Sequence, residues 1–157
     1  MGEWIEEGSK APDFTLMADD GTRVKLSALR GKPVVLYFYP RDDTPGCTRE
    51  ACAFRDRKVE LGKLDALVFG LSPDDVASHV RFRDKFTLNF PLLADEDHAV
   101  AEQYGAWREK NLYGKKSMGI QRSTYLIDGE GKVARLWKKV NVDGHDAEVM
   151  AAIKELA

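Results

Sequence analysis

The 157-residue sequence has the size of a single domain, read here as one unit over 1–157, and 43% hydrophobic residues are enough for one core of ordinary proportions. Charged residues make up 32% but nearly cancel to a formal charge of -2, which argues against nucleic acid or an anionic membrane surface and favours a small or neutral substrate. The acidic start Met1-Gly2-Glu3-Trp4-Ile5-Glu6-Glu7 is unlike a secretory signal and no later stretch is apolar enough to cross a bilayer, so a cytoplasmic protein is expected.

Met1-Gly2 is a weak myristoylation cue, because the sixth position carries Glu6 in place of Ser or Thr. Further on, Asp13-Phe14-Thr15-Leu16 and Thr22-Arg23-Val24-Lys25-Leu26 alternate apolar and polar residues around Asp19-Asp20-Gly21, as a hairpin with one wet face does; it reads as an N-terminal ornament. Pro33-Val34-Val35-Leu36-Tyr37-Phe38-Tyr39-Pro40 and Ala66-Leu67-Val68-Phe69-Gly70-Leu71 are unbroken apolar runs, the pattern of central parallel strands buried on both faces. Between them, residues 48–63 interleave charges with Ala51, Phe54, Val59 and Leu61, which suits a crossover helix and completes a βαβ unit.

Ser72-Pro73-Asp74-Asp75 offers an N-cap, a proline at the first helical position and a following acid; the helix it opens would bury Val76, Val80 and Phe86. Asn89-Phe90-Pro91-Leu92-Leu93-Ala94 reads as a short edge strand, since proline has no amide hydrogen for a ladder. Residues 99–104 suit a helical turn or two, and 105–119 show little periodicity and read as a long loop, with Trp107, Leu112 and Tyr113 either forming an apolar collar or packing the loop down. Ser123-Thr124-Tyr125-Leu126-Ile127 and Val133-Ala134-Arg135-Leu136-Trp137 flank Asp128-Gly129-Glu130-Gly131 as a second hairpin, and 145–156 close the chain as an amphipathic helix. This order predicts an α/β protein of thioredoxin-like fold, a central mixed sheet flanked by helices with an N-terminal β-hairpin extension.

The sequence holds two cysteines, Cys47 and Cys52. In a reducing compartment a domain of this size has no need of a structural staple, so their spacing carries the information. Cys47 follows the first central strand, in Pro40-Arg41-Asp42-Asp43-Thr44-Pro45-Gly46-Cys47, where a βα loop turns into a helix. Ligands of open α/β sheets bind at the carboxyl ends of strands, and a thiol in a first helical turn faces unpaired amides and the positive end of the helix dipole, which favour its nucleophilic anionic form. Pro45 presets φ for the helix start, Gly46 lets its amide approach a bound oxygen, and the Thr44 hydroxyl is within reach of the sulfur or that oxygen.

Cys52, five residues on, would lie roughly 8–9 Å from Cys47 in a continuous helix, beyond the bridging limit of about 7 Å, so any pairing requires the first turn or two to unwind. Taken alone, Cys52 suits a core position as well as a resolving thiol. The histidines His79, His98 and His145 are scattered and form no ligand cluster with the cysteines, so no metal is expected; each reads as a surface or packing residue. Arg41, Asp42 and Asp43 read as a solvated loop, and Tyr37, Phe38 and Tyr39 as core.

The run from Tyr37-Phe38-Tyr39-Pro40 through Thr44-Pro45-Gly46-Cys47-Thr48, with Glu50-Ala51-Cys52 and Phe54-Arg55-Asp56, resembles the active-site pattern of the peroxiredoxins, and within them the bacterioferritin-comigratory or PrxQ type. Tyr113-Gly114-Lys115, Met118-Gly119-Ile120, Arg122-Ser123-Thr124-Tyr125-Leu126-Ile127-Asp128 and Val142-Asp143-Gly144-His145 are similar to that subfamily too.

The resemblance implies a thiol peroxidase in which Cys47 is oxidised by hydroperoxide to a sulfenic acid. Cys52 would resolve it as an intramolecular disulfide, and thioredoxin or a glutaredoxin-like dithiol would reopen the bridge. It further implies that Thr44 hydrogen-bonds peroxide and sulfur, Pro40 shields the sulfur, Arg122 activates thiol and peroxide, and Glu50 holds Arg122. No metal and no organic cofactor are implied, and a monomer is expected. Two other readings are a general disulfide oxidoreductase, disfavoured by the lack of a Cys-x-x-Cys pair, and a non-enzymatic redox sensor or holdase.

Overall fold

The computed structural model describes residues 3–156; Met1-Gly2 and the myristoylation cue lie outside them. In chain order the strands are β1 (Thr15–Ala18), β2 (Arg23–Lys25), β3 (Val34–Phe38), β4 (Leu67–Ser72), β5 (Leu92–Ala94), β6 (Trp107–Leu112), β7 (Lys115–Ile120), β8 (Ser123–Ile127) and β9 (Val133–Trp137). The helices are α1 (Pro45–Asp56), α2 (Lys58–Lys63), α3 (Val76–Phe86), α4 (Ala99–Gln103) and α5 (His145–Glu155). A seven-stranded mixed sheet runs β2-β1-β5-β4-β3-β8-β9, with β3 parallel to β4, β4 parallel to β5, and β8 antiparallel to β3. Among the described residues, no helix is long and apolar enough to cross a membrane.

All five β3 residues are buried, which is why that run lacks polar alternation. On one face Leu36 and Phe38 join Phe69, Leu71, Tyr104 and Tyr125; on the other Val35, Tyr37 and Tyr39 join Cys47, Phe54, Val149 and Ile153. The aromatic run 37–39 is therefore core, divided between two layers, and the candidate thiol belongs to the layer under α1 and α5.

The structure revises several expectations. The crossover helix begins at Pro45 and not at residue 48, because a proline at the first helical position is already set for helix, and Cys47 lies in the first turn, where its place at the end of the βα loop put it; the crossover is also two helices, ending and restarting at Arg57, whose amide bonds back to Phe54. Ser72 is not a cap: it pairs with Ala94 as the last residue of β4, and Asp75 caps α3 by accepting the Ser78 amide. On α3 the buried residues are His79 and Phe82, while Val76, Val80 and Phe86 are half-buried.

The strand β5 is interior, between β4 and β1; Pro91 precedes it and leaves its ladder intact. Consequently the N-terminal hairpin is part of the sheet and not an ornament, since Met17 and Ala18 pair with Ala94 and Leu93. Residues 105–119 are not a loop. They contain most of a β6–β7 ribbon, separate from the main sheet, that turns at Tyr113-Gly114 with φ of 52° and 79°. Mostly exposed strands need no alternating apolar face, so their sequence carries no periodicity. Within the ribbon Trp107 stacks on His98, whereas Leu112 and Tyr113 are exposed at the tip.

Candidate active site around Cys47

Cys47 sits in the first turn of α1, 1% exposed, where the loop leaving β3 becomes helix. Arg122, one residue before β8, reaches it from the next strand of the sheet: Nη2 donates to Cys47 Sγ at 3.3 Å. The same guanidinium donates from Nη1 to Glu50 Oε1 at 2.7 Å. Glu50 lies three residues beyond Cys47 on α1, so helix periodicity puts thiol and carboxylate on one face and Arg122 spans both. A cationic donor held against sulfur stabilises negative charge there, as does the helix N-terminus.

Gly46 makes that approach possible. A Cβ at this position would lie 3.2 Å from Arg122 Nη2, closer than side chains normally pack. Glycine thus leaves room for the contact with Arg122, a reason distinct from the amide approach read in the sequence.

Glu50 is 2% exposed, and burial pushes its carboxyl up to about 7 against the opposing pull of Arg122. Its Oε2 is buried without a hydrogen-bond partner, which leaves the carboxylate held by one oxygen only. Glu50 and Cys47 hold Arg122 above the ordinary arginine value, although burial acts the other way. Beneath the site the Tyr37 hydroxyl is buried without a partner, and Tyr37 stacks on Phe54.

Thr44 is the N-cap residue of α1, but its hydroxyl donates to the Arg41 carbonyl at 2.9 Å. The expected hydrogen bond to sulfur is not formed in this conformation; the hydroxyl is engaged with the Arg41 carbonyl of its own loop. Pro40 is half-buried directly after Tyr39. Cys52 is half-buried on α1 and not bonded to Cys47; both thiols are free. The structure thus brings Cys47, Arg122, Glu50 and Gly46 together and leaves Cys52 within a helix that must open before it can join them.

Two groups near the site were not anticipated. Lys110 on β6 lies with its side chain along Gly119, and burial together with the Arg122 charge pushes its ammonium below the usual lysine value. A two-residue turn of Tyr113-Gly114 was the available sequence signal for the ribbon that carries it. The second is Asp42, expected in a solvated loop but 8% exposed and bonded to His79, which is fully buried. His145 is buried as well, with Nε2 2.8 Å from Thr124 Oγ1. Among the described residues, no group of three or more His, Cys, Asp and Glu side chains could hold a metal ion.

Residues 8–136 match the AhpC/TSA family. The chain is 53% identical over 149 residues to a putative peroxiredoxin Bcp of Coxiella burnetii, covering 95% of this chain and 99% of that protein. It is 49% identical to peroxiredoxin Bcp of Bacillus subtilis, covering 98% of each. The bacterioferritin comigratory protein of Xanthomonas campestris, whose structures address alkyl peroxide reduction, superposes with a TM-score of 0.90 at 40% identity, over 96% of this chain and 98% of that one.

Proposed function

This chain belongs to the AhpC/TSA family, as a thiol peroxidase of the bacterioferritin-comigratory peroxiredoxin type, and we propose that Cys47 is its peroxidatic cysteine and Cys52 its resolving cysteine. The observation that carries this assignment is the Arg122 guanidinium shared between Cys47 Sγ at 3.3 Å and Glu50 at 2.7 Å. A cation so placed can polarise a hydroperoxide as the sulfur attacks it. The S–O bond forms while O–O breaks, and the departing oxygen leaves as alcohol or water once protonated.

The Cys52 thiolate then attacks the sulfenic sulfur; S–S forms and water departs. Formation of this bridge requires α1 to unwind between the two cysteines, since five helical residues hold their Cα atoms apart. A dithiol such as thioredoxin returns both thiols by exchange and is itself oxidised to a disulfide. In this reading Arg122 and Thr44 serve the peroxide step, with Thr44 turning from Arg41 to the substrate oxygen when peroxide binds. Pro40 shields the sulfur, Gly46 admits Arg122, and Glu50 orients it.

We further read residues 1–157 as one peroxiredoxin domain that acts as a cytoplasmic monomer on hydrogen peroxide and organic hydroperoxides, supporting antioxidant defence. The seven-stranded sheet, which draws its strands from both the N-terminal hairpin and β8–β9, favours the one-domain reading. No metal or organic cofactor takes part in this scheme.

Stopped-flow oxidation by hydrogen peroxide tests it. Cys47→Ser should abolish rapid peroxide consumption, and Cys52→Ser should keep the first oxidation but accumulate a sulfenic acid that dimedone traps. Fast peroxide consumption by Cys47→Ser, or a normal intramolecular bridge in Cys52→Ser, would overturn the assignment.

A further inference from the structure

The loop that delivers Cys47 to Arg122 is moored from below by a buried polar cluster. Asp42 Oδ1 accepts the Tyr39 hydroxyl at 2.6 Å, and Oδ2 accepts Ser78 Oγ at 2.8 Å and faces His79 Nδ1 at 2.7 Å. The Asp42 amide donates to Asp74 Oδ2 at 2.8 Å, and that oxygen also accepts the Ser72 hydroxyl at 2.7 Å. One residue on, Asp43 pairs with Lys85 at 2.8 Å. Every tether beyond Tyr39 leads to α3 or the segment just before it, on the side away from Arg122.

The protonation of this cluster follows from its partners. His79 Nε2 is 3.0 Å from the Leu93 carbonyl, which can only accept, so Nε2 carries a hydrogen. A carboxylate that accepts two hydroxyl donors is best placed to accept from Nδ1 as well, and with both ring nitrogens facing acceptors the site favours the imidazolium form of His79. An ion pair enclosed to this degree is costly to leave half-made. Burial alone would pull His79 down, but the Asp42 hydrogen bond and charge, the Leu93 carbonyl and Asp74 hold it above the ordinary histidine value.

The position of the pair gives it a role in the reaction. Thr44 and the first turn of α1 begin two residues after Asp42, and the Thr48 amide closes that turn on the Thr44 carbonyl. Downstream, α1 is tied to α5 by the edge-on packing of Phe54 against His145, and Arg57 bonds Asp146 at 2.8 Å. Both cysteines lie between these moorings, in the segment that must unwind and rewind in each cycle.

We infer that His79 is a positioning residue of the peroxidase, acting through Asp42 to fix the residue 41–44 loop from which the Cys47 turn starts, so that Sγ meets Arg122 each time α1 rewinds. This rests on Cys47 being the peroxidatic thiol. A histidine held above its ordinary value keeps its clasp below that value and loses it as pH rises through the raised one. The groups facing the imidazolium are Asp42, Tyr39, Ser78 and the Leu93 carbonyl, with Asp74 behind Asp42. Deprotonation would turn a nitrogen lone pair toward Leu93 or Asp42 and loosen the loop, so Cys47 oxidation should decline on the alkaline side.

The test is single-turnover oxidation by hydrogen peroxide across pH for the wild type, His79→Gln, Asp42→Asn and the double variant. Each single variant should slow oxidation roughly ten- to a hundredfold, as misplacement of reacting groups by about 1 Å does. The double variant should be no slower than the slower single, and the alkaline decline should vanish in His79→Gln. Unchanged rates, additive losses or a persistent alkaline limb would overturn the inference. Should the variants not fold, nitrogen NMR of wild-type His79 decides it: two protonated ring nitrogens at neutral pH are required, and a single one overturns it. A wild type that does not consume peroxide, or a Cys47→Ser variant that does, defeats the peroxidatic assignment instead.

Discussion

Half-buried Arg122 and buried Glu50 form an ion pair at 2.7 Å whose free edge is turned to Cys47, so the carboxylate aims the cation at the sulfur. Arg122→Met should therefore remove a charged hydrogen bond of about 1.5–3 kcal/mol from the reacting sulfur and slow peroxide oxidation about ten- to a hundredfold. Arg122→Lys should recover only part of that, because one ammonium does not reproduce the two-pronged geometry. Stopped-flow rates under pseudo-first-order peroxide check both.

Glu50→Gln separates charge from shape. Burial holds the carboxyl near about 7 in the folded protein against 4.5 as the reference. The folded state thus binds more protons than the unfolded state between these values, and the wild type loses stability as pH rises through that window. Relative to Glu50→Gln the loss should reach about 3 kcal/mol at most, measured by urea unfolding at pH 4.5 and pH 8. Peroxide reactivity of the wild type should show an inflection near pH 7 that Glu50→Gln lacks.

Gly46→Ala places a methyl group 3.2 Å from Arg122 Nη2. The guanidinium can swing by a few tenths of an ångström, so stability should change by less than about 0.5 kcal/mol while oxidation of Cys47 slows several-fold. Equal unfolding midpoints beside unequal oxidation rates would be the expected signature.

Gly70→Ala acts deeper. Its Cβ would lie 2.8 Å from the Tyr37 hydroxyl and 3.1 Å from Leu92 Cδ2, inside the central sheet, where neither ring nor strand can retreat cheaply. Overpacking of this kind should cost about 1–3 kcal/mol, read as a lower urea midpoint with an unchanged slope.

The two continuous apolar runs revealed β3 and β4 because strands buried on both faces leave their hydrophobicity undiluted, and Pro45-Gly46-Cys47 marked the helix start because proline and glycine restrict and release φ locally. These are properties of neighbours in the chain, and the sequence by itself determined them, with Cys47 at the head of a helix. What it could not hold is pairing across distance. Asp42 and His79 are 37 residues apart and Arg122 and Cys47 are 75 apart, and nothing local to either member announces the other.

The ribbon of β6 and β7 was hidden for the opposite reason: its mostly exposed strands need no buried face to leave a pattern. Only the tertiary structure decided that the loop before Cys47 is moored through Asp42 to the buried His79 and that the Thr44 hydroxyl bonds the Arg41 carbonyl. Those outcomes depend on which donors and acceptors the fold brings within 3 Å of one another in the absence of water.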